Sequence, residues 1–316
     1  MNLLLKRQIA HHNSYAQDEI SSWYKNLVIR IRPARKSDKD QILSFCVNTF
    51  SWGDYIDRVW DYWYTEENGR IFIVESGGGK KIAMSHVAIC PEGRSIWLEG
   101  IRVHPDHRRS YIATLLIRKM LEYGRRRGAC QASAIVDATN FASQRMMEKN
   151  GFKVVSKWLY YSIGGKPRRQ KSDARIANAE DIGDIWQYLL RSKIYHLSAK
   201  RYVESWHWYV FDRSALQNFI KDKRIIVTGQ PIDGIAIINK SGYWDRANIL
   251  QIVYLDSLPA GSLCNLVSFI TNIYLDGKFD SLQLMCYDSK RLTSFINKFM
   301  VKEQVQFLLY NKQFKP

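Results

Sequence analysis

The sequence predicts an α/β chain of the α+β type, organised as two tandem domains that each set a twisted mixed central sheet between helices. Three observations carry this. The 316 residues amount to about two domains at roughly 150 residues each. Segments with period-two apolar alternation take turns with segments of helical spacing. The order of those segments then runs a second time, because Arg32-Pro-Ala34-(x3)-Asp38-(x3)-Ile42 returns as Arg175-Ile-Ala177-(x3)-Asp181-(x3)-Ile185 at a constant offset of 143. The corresponding boundaries are an N-terminal extension over 1–26, a first domain over 27–165, a linker over 166–172 and a second domain over 173–316.

Each element has a local reason. The extension is mixed and polar, with one short helix expected over 17–25. Val28-Ile29-Arg30-Ile31-Arg32 alternates as a strand that Pro33 stops. Ser37 stands as the N-cap of a helix whose apolar positions are Ile42, Leu43, Phe45 and Cys46. An aromatic helix follows over 55–64. Strands at 70–75 and 81–89 flank the turn Gly77-Gly78-Gly79. A strand over 95–103 feeds a long helix over 109–127 that Gly128 ends. A strand at 132–136, a helix at 140–149 and a strand at 152–162 complete the first domain. In the second, an aromatic helix with Trp206, Trp208 and Tyr209 parallels the one with Trp60, Trp63 and Tyr64, and a strand begins near Arg224 as one does near Arg70. A strand at 248–255, a helix at 260–275, a strand at 281–286, a helix at 290–299 and a strand at 305–310 close the chain.

Composition excludes several classes. Apolar residues make up 46%, enough for a substantial core and too many for a disordered chain. No window approaches the roughly 18 consecutive apolar residues of a membrane-spanning helix. The run Leu3-Leu4-Leu5 is too short for a signal-peptide core, so the expected location is the cytoplasm. Five cysteines, Cys46, Cys90, Cys130, Cys264 and Cys286, are scattered with no C-x-x-C pair, which argues against a metal site or disulfide framework and for thiols in a reducing compartment. The net charge is +17, with 28 basic and 16 acidic residues in 1–170, so the excess gathers in the first half. Such a field attracts anions without separating nucleic acid from a phosphate-bearing cofactor. No helix-turn-helix, zinc or RNA-recognition motif supports nucleic acid.

The richest segment is Val103-His-Pro105-Asp-His-Arg108-Arg-Ser-Tyr111-Ile-Ala113-Thr-Leu-Leu116. A strand ends, a turn comes next, and an arginine-rich turn opens an amphipathic helix. A helix start offers free backbone N–H groups and the positive end of its dipole, which suits a pyrophosphate. The Walker and dinucleotide fingerprints are absent. Further on stands Asn140-Phe-Ala-Ser143-Gln-Arg-Met146-Met147-Glu-Lys-Asn-Gly151-Phe152. Together, in this order and separation, the two motifs resemble those of the GCN5-related N-acetyltransferases (the GNAT family), over about residues 27–163.

The resemblance implies acetyl transfer from acetyl-CoA to a primary amine, on a small molecule or a protein, by direct attack. It implies that backbone N–H groups of Arg109, Ser110, Tyr111, Ile112, Ala113 and Thr114, with the Arg108 side chain, hold the pyrophosphate. Strand residues Ile101 to Val103 and 134–136 accept the pantetheine arm, a backbone N–H of Arg102 or Val103 faces the oxyanion, and Asn140, in the motif that also holds Ser143, contacts the cofactor. Two positions depart from the family pattern. Tyr111 replaces a glycine, is compatible with a helix's first turn, and must turn its ring away from the phosphates. Met147 replaces the tyrosine that commonly protonates the leaving thiolate, a tolerable loss because a thiol of pKa about 8.5 leaves readily.

For the base, Glu99 lies four residues before Val103, on the same strand face if the strand is unbroken. Its alternatives are a solvated carboxylate or a partner of Arg102. His86 is a second candidate base or substrate contact, set against a satisfied sheet residue. Asp137 reads as a helix cap, and His104 and His107 as anion-favouring flanks of the turn. Among Trp52, Tyr55, Trp60, Tyr62, Trp63 and Tyr64, core packing competes with an acceptor-side role for Tyr55 and Tyr64. The second domain lacks the chemistry, with Gln251 in place of Glu99 and Ala260 in place of Arg108. It is expected to be a degenerate GNAT-like domain. A non-catalytic acyl-CoA-binding regulator is the rival reading, no metal is called for, and homodimerisation is left open.

Overall fold

The computed structural model describes residues 29–47, 49–50, 53–91, 93–164, 168–240, 248–257, 259–296 and 301–314. The extension with its expected helix, Trp52, residue 165 at the end of the first domain, residues 166–167 of the linker and Phe299 lie outside the described residues. The chain divides into two compact units, Met1–Ile89 with Leu98–Arg127, and Cys90–Trp97 with Gly128–Pro316.

In the first unit, β1 (Ile29–Pro33) pairs antiparallel with β2 (Gly69–Ser76), and β2 with β3 (Lys81–Ile89). The later part of β4 (Ser95–Val103) lies beside β3. Pro33 ends β1 from within, paired with Phe72, rather than stopping the strand before it. It sits on an edge strand, where a missing N–H costs no ladder bond. Helices α1 (Lys39–Cys46) and α2 (Ile56–Thr65) cover one sheet face, and α3 (Ile112–Arg126) the other. Adjacent residues of a strand point to opposite faces. Accordingly His86 meets Trp63 of α2, while Phe72, opposite Ser85, meets Tyr123 of α3.

Ser37 is not the cap expected of it. It lies inside a 3-10 turn, Lys36–Asp38, and Asp38 performs the capping: Arg35 N–H donates to its carboxylate at 2.7 Å. That carboxylate also accepts both arms of Arg32, at 2.6 and 2.8 Å, in a pair 6% and 1% exposed, and Arg32 reaches Glu75 as well. The two oxygens of a carboxylate have room for the three donors that meet here and a charge to match Arg32, whereas a neutral hydroxyl offers one oxygen with two lone pairs.

The second unit holds β5 (Gln131–Asp137), α4 (Phe141–Lys149), β6 (Lys153–Ile163), β7 (Arg175–Ile176), α5 (Ile182–Arg191), α6 (Lys193–Leu197), β8 (Arg201–Glu204), β9 (His207–Val210), α7 (Arg213–Lys221), β10 (Ile225–Thr228), β11 (Gly234–Asn239), β12 (Ile249–Ser257), α8 (Ala260–Asp276), β13 (Ser281–Tyr287), α9 (Lys290–Ile296) and β14 (Val301–Gln313). Its main sheet runs β5-β14-β6-β13-β12-β11-β10-β7. The start of β4 joins it, with Ser95 to Trp97 parallel to Gln131 to Ser133. β14 is antiparallel to both β5 and β6, so the last strand of the chain binds two strands that precede the linker. Compactness therefore tracks this ladder rather than the linker.

Both sheet faces of this unit are apolar. Ile226, Ala236, Ile238, Leu250 and Ile252 pack with Leu263, Leu266 and Ile270 of α8. Ile225, Val227, Ile235, Ile237 and Val253 pack with Ile185 and Leu189 of α5 and Leu216 and Phe219 of α7. The interleaved numbers are the period-two signature of strands buried on both sides.

The Arg32–Asp38 arrangement recurs 143 residues on. Arg175 donates both arms to Asp181 at 2.7 and 2.6 Å, and Asn178 N–H donates to the same carboxylate at 2.8 Å. The second aromatic helix does not occur. Trp206, Trp208 and Tyr209 belong to the β8–β9 hairpin, closed by Ser205 and Trp206 at φ 49° and 66°. Two consecutive left-handed residues make the two-residue turn that matches strand twist. Val203 and Trp208 face the core, and the intervening residues are less buried.

Candidate active site

The turn after β4 is built from short-range contacts. His104 Nδ1 accepts from Asp106 N–H at 3.3 Å over a 3-10 turn, Pro105–His107, and Arg108 Nε donates to Val103 O at 3.3 Å. Ser110 Oγ donates to His107 O. Arg109 and Tyr111 then adopt φ 62° and 64°. The expected helix over 109–127 therefore begins only at Ile112, and Tyr111 precedes its first turn rather than lying in it. A left-handed conformation costs an L-residue roughly 1–2 kcal/mol, so two such residues mark a loop whose path is imposed by its surroundings. The result is a sharp entry to α3, whose first N–H groups, from Ile112, Ala113 and Thr114, have no acceptor within the helix. The Tyr111 ring turns along the helix flank, where the Arg118 guanidinium lies 5.1 Å from its centroid. N–H groups at a helix start beside Arg108 and Arg109 suit a pyrophosphate, so this donor set fits the phosphate end of a nucleotide cofactor.

Next to this loop, β4 carries a kink at Gly100, φ 65°. A side chain there is also excluded by contact, because a Cβ would lie 2.7 Å from Trp63 Cζ3. The kink changes the strand's parity. Glu99 meets His86, and Arg102, three residues on, meets Asp54 before α2, although an odd offset in a regular strand separates faces. The condition under which Glu99 and Val103 would share a face, an unbroken strand, is therefore not met. Nor is Glu99 the partner of Arg102. Arg102 is buried and gives Nε and Nη2 to the two Asp54 oxygens at 2.7 and 2.8 Å, with its guanidinium 5.0 Å from the ring centres of both Phe50 and Tyr55.

His86 is fully buried between two carboxylates. Its Nδ1 is 2.9 Å from Glu99 Oε1 and its Nε2 is 3.2 Å from Glu66 Oε2, while Trp63 stacks on its face at 4.4 Å and 7°. Burial alone would lower the histidine's pKa, but Glu66 and Glu99 together hold it above its ordinary value. Burial likewise raises the Tyr55 hydroxyl, with the Arg102 charge opposing it and the Glu99 charge adding to it. Asp54 stays below the usual carboxylate range because the Arg102 hydrogen bonds and charge outweigh its burial.

Tyr55 thus lies among Arg102, Glu99 and Trp63, whereas Tyr64 is exposed and borders a small pocket with Ala34, Trp63, Gly69, Arg70 and Ile71. In the second unit, Asn140 Oδ1 accepts from Ser143 N–H at 3.1 Å and caps α4, and Asp137 Oδ1 accepts from Thr139 N–H at 2.7 Å. Met147 is buried. Gln251 is buried too, hydrogen-bonded to Gln283 at 2.8 Å. Sequence reading missed Glu66, Asp54 and Asp256. The last is a buried carboxylate on β12 that accepts from Tyr188 and Tyr254 at 3.0 and 3.1 Å, with burial raising its pKa against these bonds and that of Ser192. Each meets partners far along the chain, so no local pattern announced it. Among the described residues no cluster of three metal-ligating side chains occurs, and no helix is long and apolar enough to cross a membrane.

The pattern of the Acetyltransferase (GNAT) family matches residues 39–152. Histidine N-acetyltransferases of Scomber australasicus and Oreochromis niloticus are 31% and 29% identical to it over 85 residues. That match covers 27% of this chain and 25% of each relative, so the chain spans about a quarter of the length of the curated relatives it matches. A GCN5-related N-acetyltransferase from Sphaerobacter thermophilus shares the fold at TM-score 0.61 and 14% identity, covering 91% of this chain and 96% of that one. The glucosamine N-acetyltransferase region of a fungal multi-domain beta-N-acetylglucosaminidase does so at 0.59 and 12%, covering 90% and 38%.

Proposed function

We propose that this protein is an acetyl-CoA-dependent N-acetyltransferase with one active site, in the domain over 27–165, and that residues 173–316 form a degenerate domain of the same fold. The observation that carries the first part is the Arg108–Tyr111 loop. Its two left-handed residues bring Arg108, Arg109 and the N–H groups of Ile112, Ala113 and Thr114 to one helix start. Acetyl-CoA, when bound, supplies the acetyl thioester. Glu99 is the base that takes the proton of the incoming ammonium, which must be lost before nitrogen can attack. The Val103 N–H, at the end of the same strand, is the donor for the negative charge that develops during attack.

The repeated Arg–Asp device and the shared element order support the tandem reading, and Gln251 and Ala260 support a second domain without chemistry. The name of the curated relatives makes an amino acid, with histidine first, the acceptor class to test. The five cysteines, all free thiols, fit the reducing cytoplasm.

Calorimetric titration with acetyl-CoA tests the reading, and no binding at millimolar concentrations would end it. Arg108→Ala weakens that binding. Glu99→Gln lowers thiol release with an amino-acid panel and leaves cofactor affinity nearly unchanged.

A further inference from the structure

The environment of His86 contains more than a single base requires, and the role inferred for it rests on the acetyl-transfer reading. An ionised carboxylate only accepts hydrogen bonds, so the 2.9 Å contact to Glu99 Oε1 makes His86 Nδ1 the donor. On the other side of the ring, Nε2 faces Glu66 Oε2 at 3.2 Å. The two atoms are buried without an aligned hydrogen bond, so this is a charge contact: a ring protonated on both nitrogens sets its positive charge between the two carboxylates. The approach is built into the chain. Gly69 follows Glu66 by three residues, and a Cβ on it would stand 2.5 Å from Glu66 Oε2 and 2.6 Å from His86 Nε2. Trp63 fixes the ring plane by stacking. The other groups whose charge reaches this site are Tyr62 on α2, which feels both Glu66 and Glu99, and Tyr55 before α2, which feels Glu99 and the Asp54-bound Arg102.

We propose that Glu66 is a positioning residue for acetyl transfer: through the buried His86 ring it holds the Glu99 carboxylate in place and ionised, ready to take the proton of the acceptor ammonium. His86 is then not the base. With its Nδ1 proton given to Glu99 and Nε2 protonated as it faces Glu66, the ring has no lone pair to offer.

The test uses the full chain and begins with a readout that needs no turnover. Ring ¹⁵N chemical shifts of His86 in the wild-type protein should show both nitrogens protonated at pH 7. In Glu66→Gln the ring should lose the Nε2 proton at a lower pH than in wild type. A bare Nε2 at pH 7 in the wild type overturns the proposal whether or not any amine is acetylated. The second readout is kinetic. Glu66→Gln should lower kcat on the order of tenfold, leave KM for acetyl-CoA unchanged and move the acid limb of the rate profile upward, because Glu99 loses the nearby positive charge. Glu66→Asp should restore part of the loss. An unchanged pH profile in a folded Glu66→Gln variant would leave Glu66 a structural residue and overturn the proposal. Absent acetyl-CoA binding in the wild type would instead overturn the acetyl-transfer reading and leave the ring measurement to decide the geometry.

Discussion

Replacing Gly100 with alanine puts the kink of β4 to the test. The residue sits at φ 65°, and a new Cβ would lie 2.7 and 2.8 Å from Trp63 Cζ3 and Cη2. Backbone strain costs about 1–2 kcal/mol in this region. The contact is about 1 Å inside normal carbon–carbon separation. Trp63 is buried and stacked on His86, so it cannot retreat into solvent. Overpacking of this kind costs about 1–3 kcal/mol. The stiffer unfolded chain returns about 0.4–1 kcal/mol. The expected net loss is about 2–4 kcal/mol. Gly128→Ala is the control, since Gly128 has φ 83° and nothing within 4 Å of a Cβ, leaving strain alone and a net loss of about 1 kcal/mol. Urea denaturation of both variants, with m-values compared, separates the two contributions. If Gly100→Ala falls within about 0.5 kcal/mol of Gly128→Ala, the claim that Trp63 closes on this backbone is wrong.

The two copies of the Arg–Asp device should differ in worth because they differ in burial. Arg32→Ala leaves Asp38 buried without its cation and should cost about 3–5 kcal/mol. Arg175→Ala, at a residue whose side chain is 43% exposed, should cost about 1 kcal/mol or less by the same denaturation assay. Acid should unfold the protein through Asp38 and Asp54. Burial pushes both carboxyls up, but hydrogen bonds and charge from Arg32 and Arg102 bring each below its ordinary 3.8. A depressed folded pKa contributes stability that is present above the unfolded value and lost as pH falls through the folded one. The steepest loss therefore lies below about pH 4, and Asp38→Asn should be less stable at neutral pH with a shallower acid slope.

Much of the fold was legible because it is written in local patterns. Most strands and helices lie within a few residues of where periodicity places them, since a sheet buried on both faces needs its apolar residues in continuous runs and an amphipathic helix needs them every third or fourth position. The misreadings arose where another force decided. Asp38 took the cap from Ser37 because it could also bind Arg32. Two left-handed residues turned an apparent aromatic helix into the β8–β9 hairpin. The start of α3 moved to Ile112 because Arg109 and Tyr111 hold a conformation that propensity disfavours.

The sequence by itself determined the class of fold, the repeat at 143 residues and the phosphate-suited turn, because each rests on residues close together in the chain. Tertiary structure alone decided that His86 stands between Glu99 and Glu66, that Arg102 belongs to Asp54, and that β14 lies between β5 and β6. Charge pairs and strand ladders are made across tens to hundreds of residues, and a one-residue kink at Gly100 reverses which side chains share a face. No periodicity within a single strand contains that information.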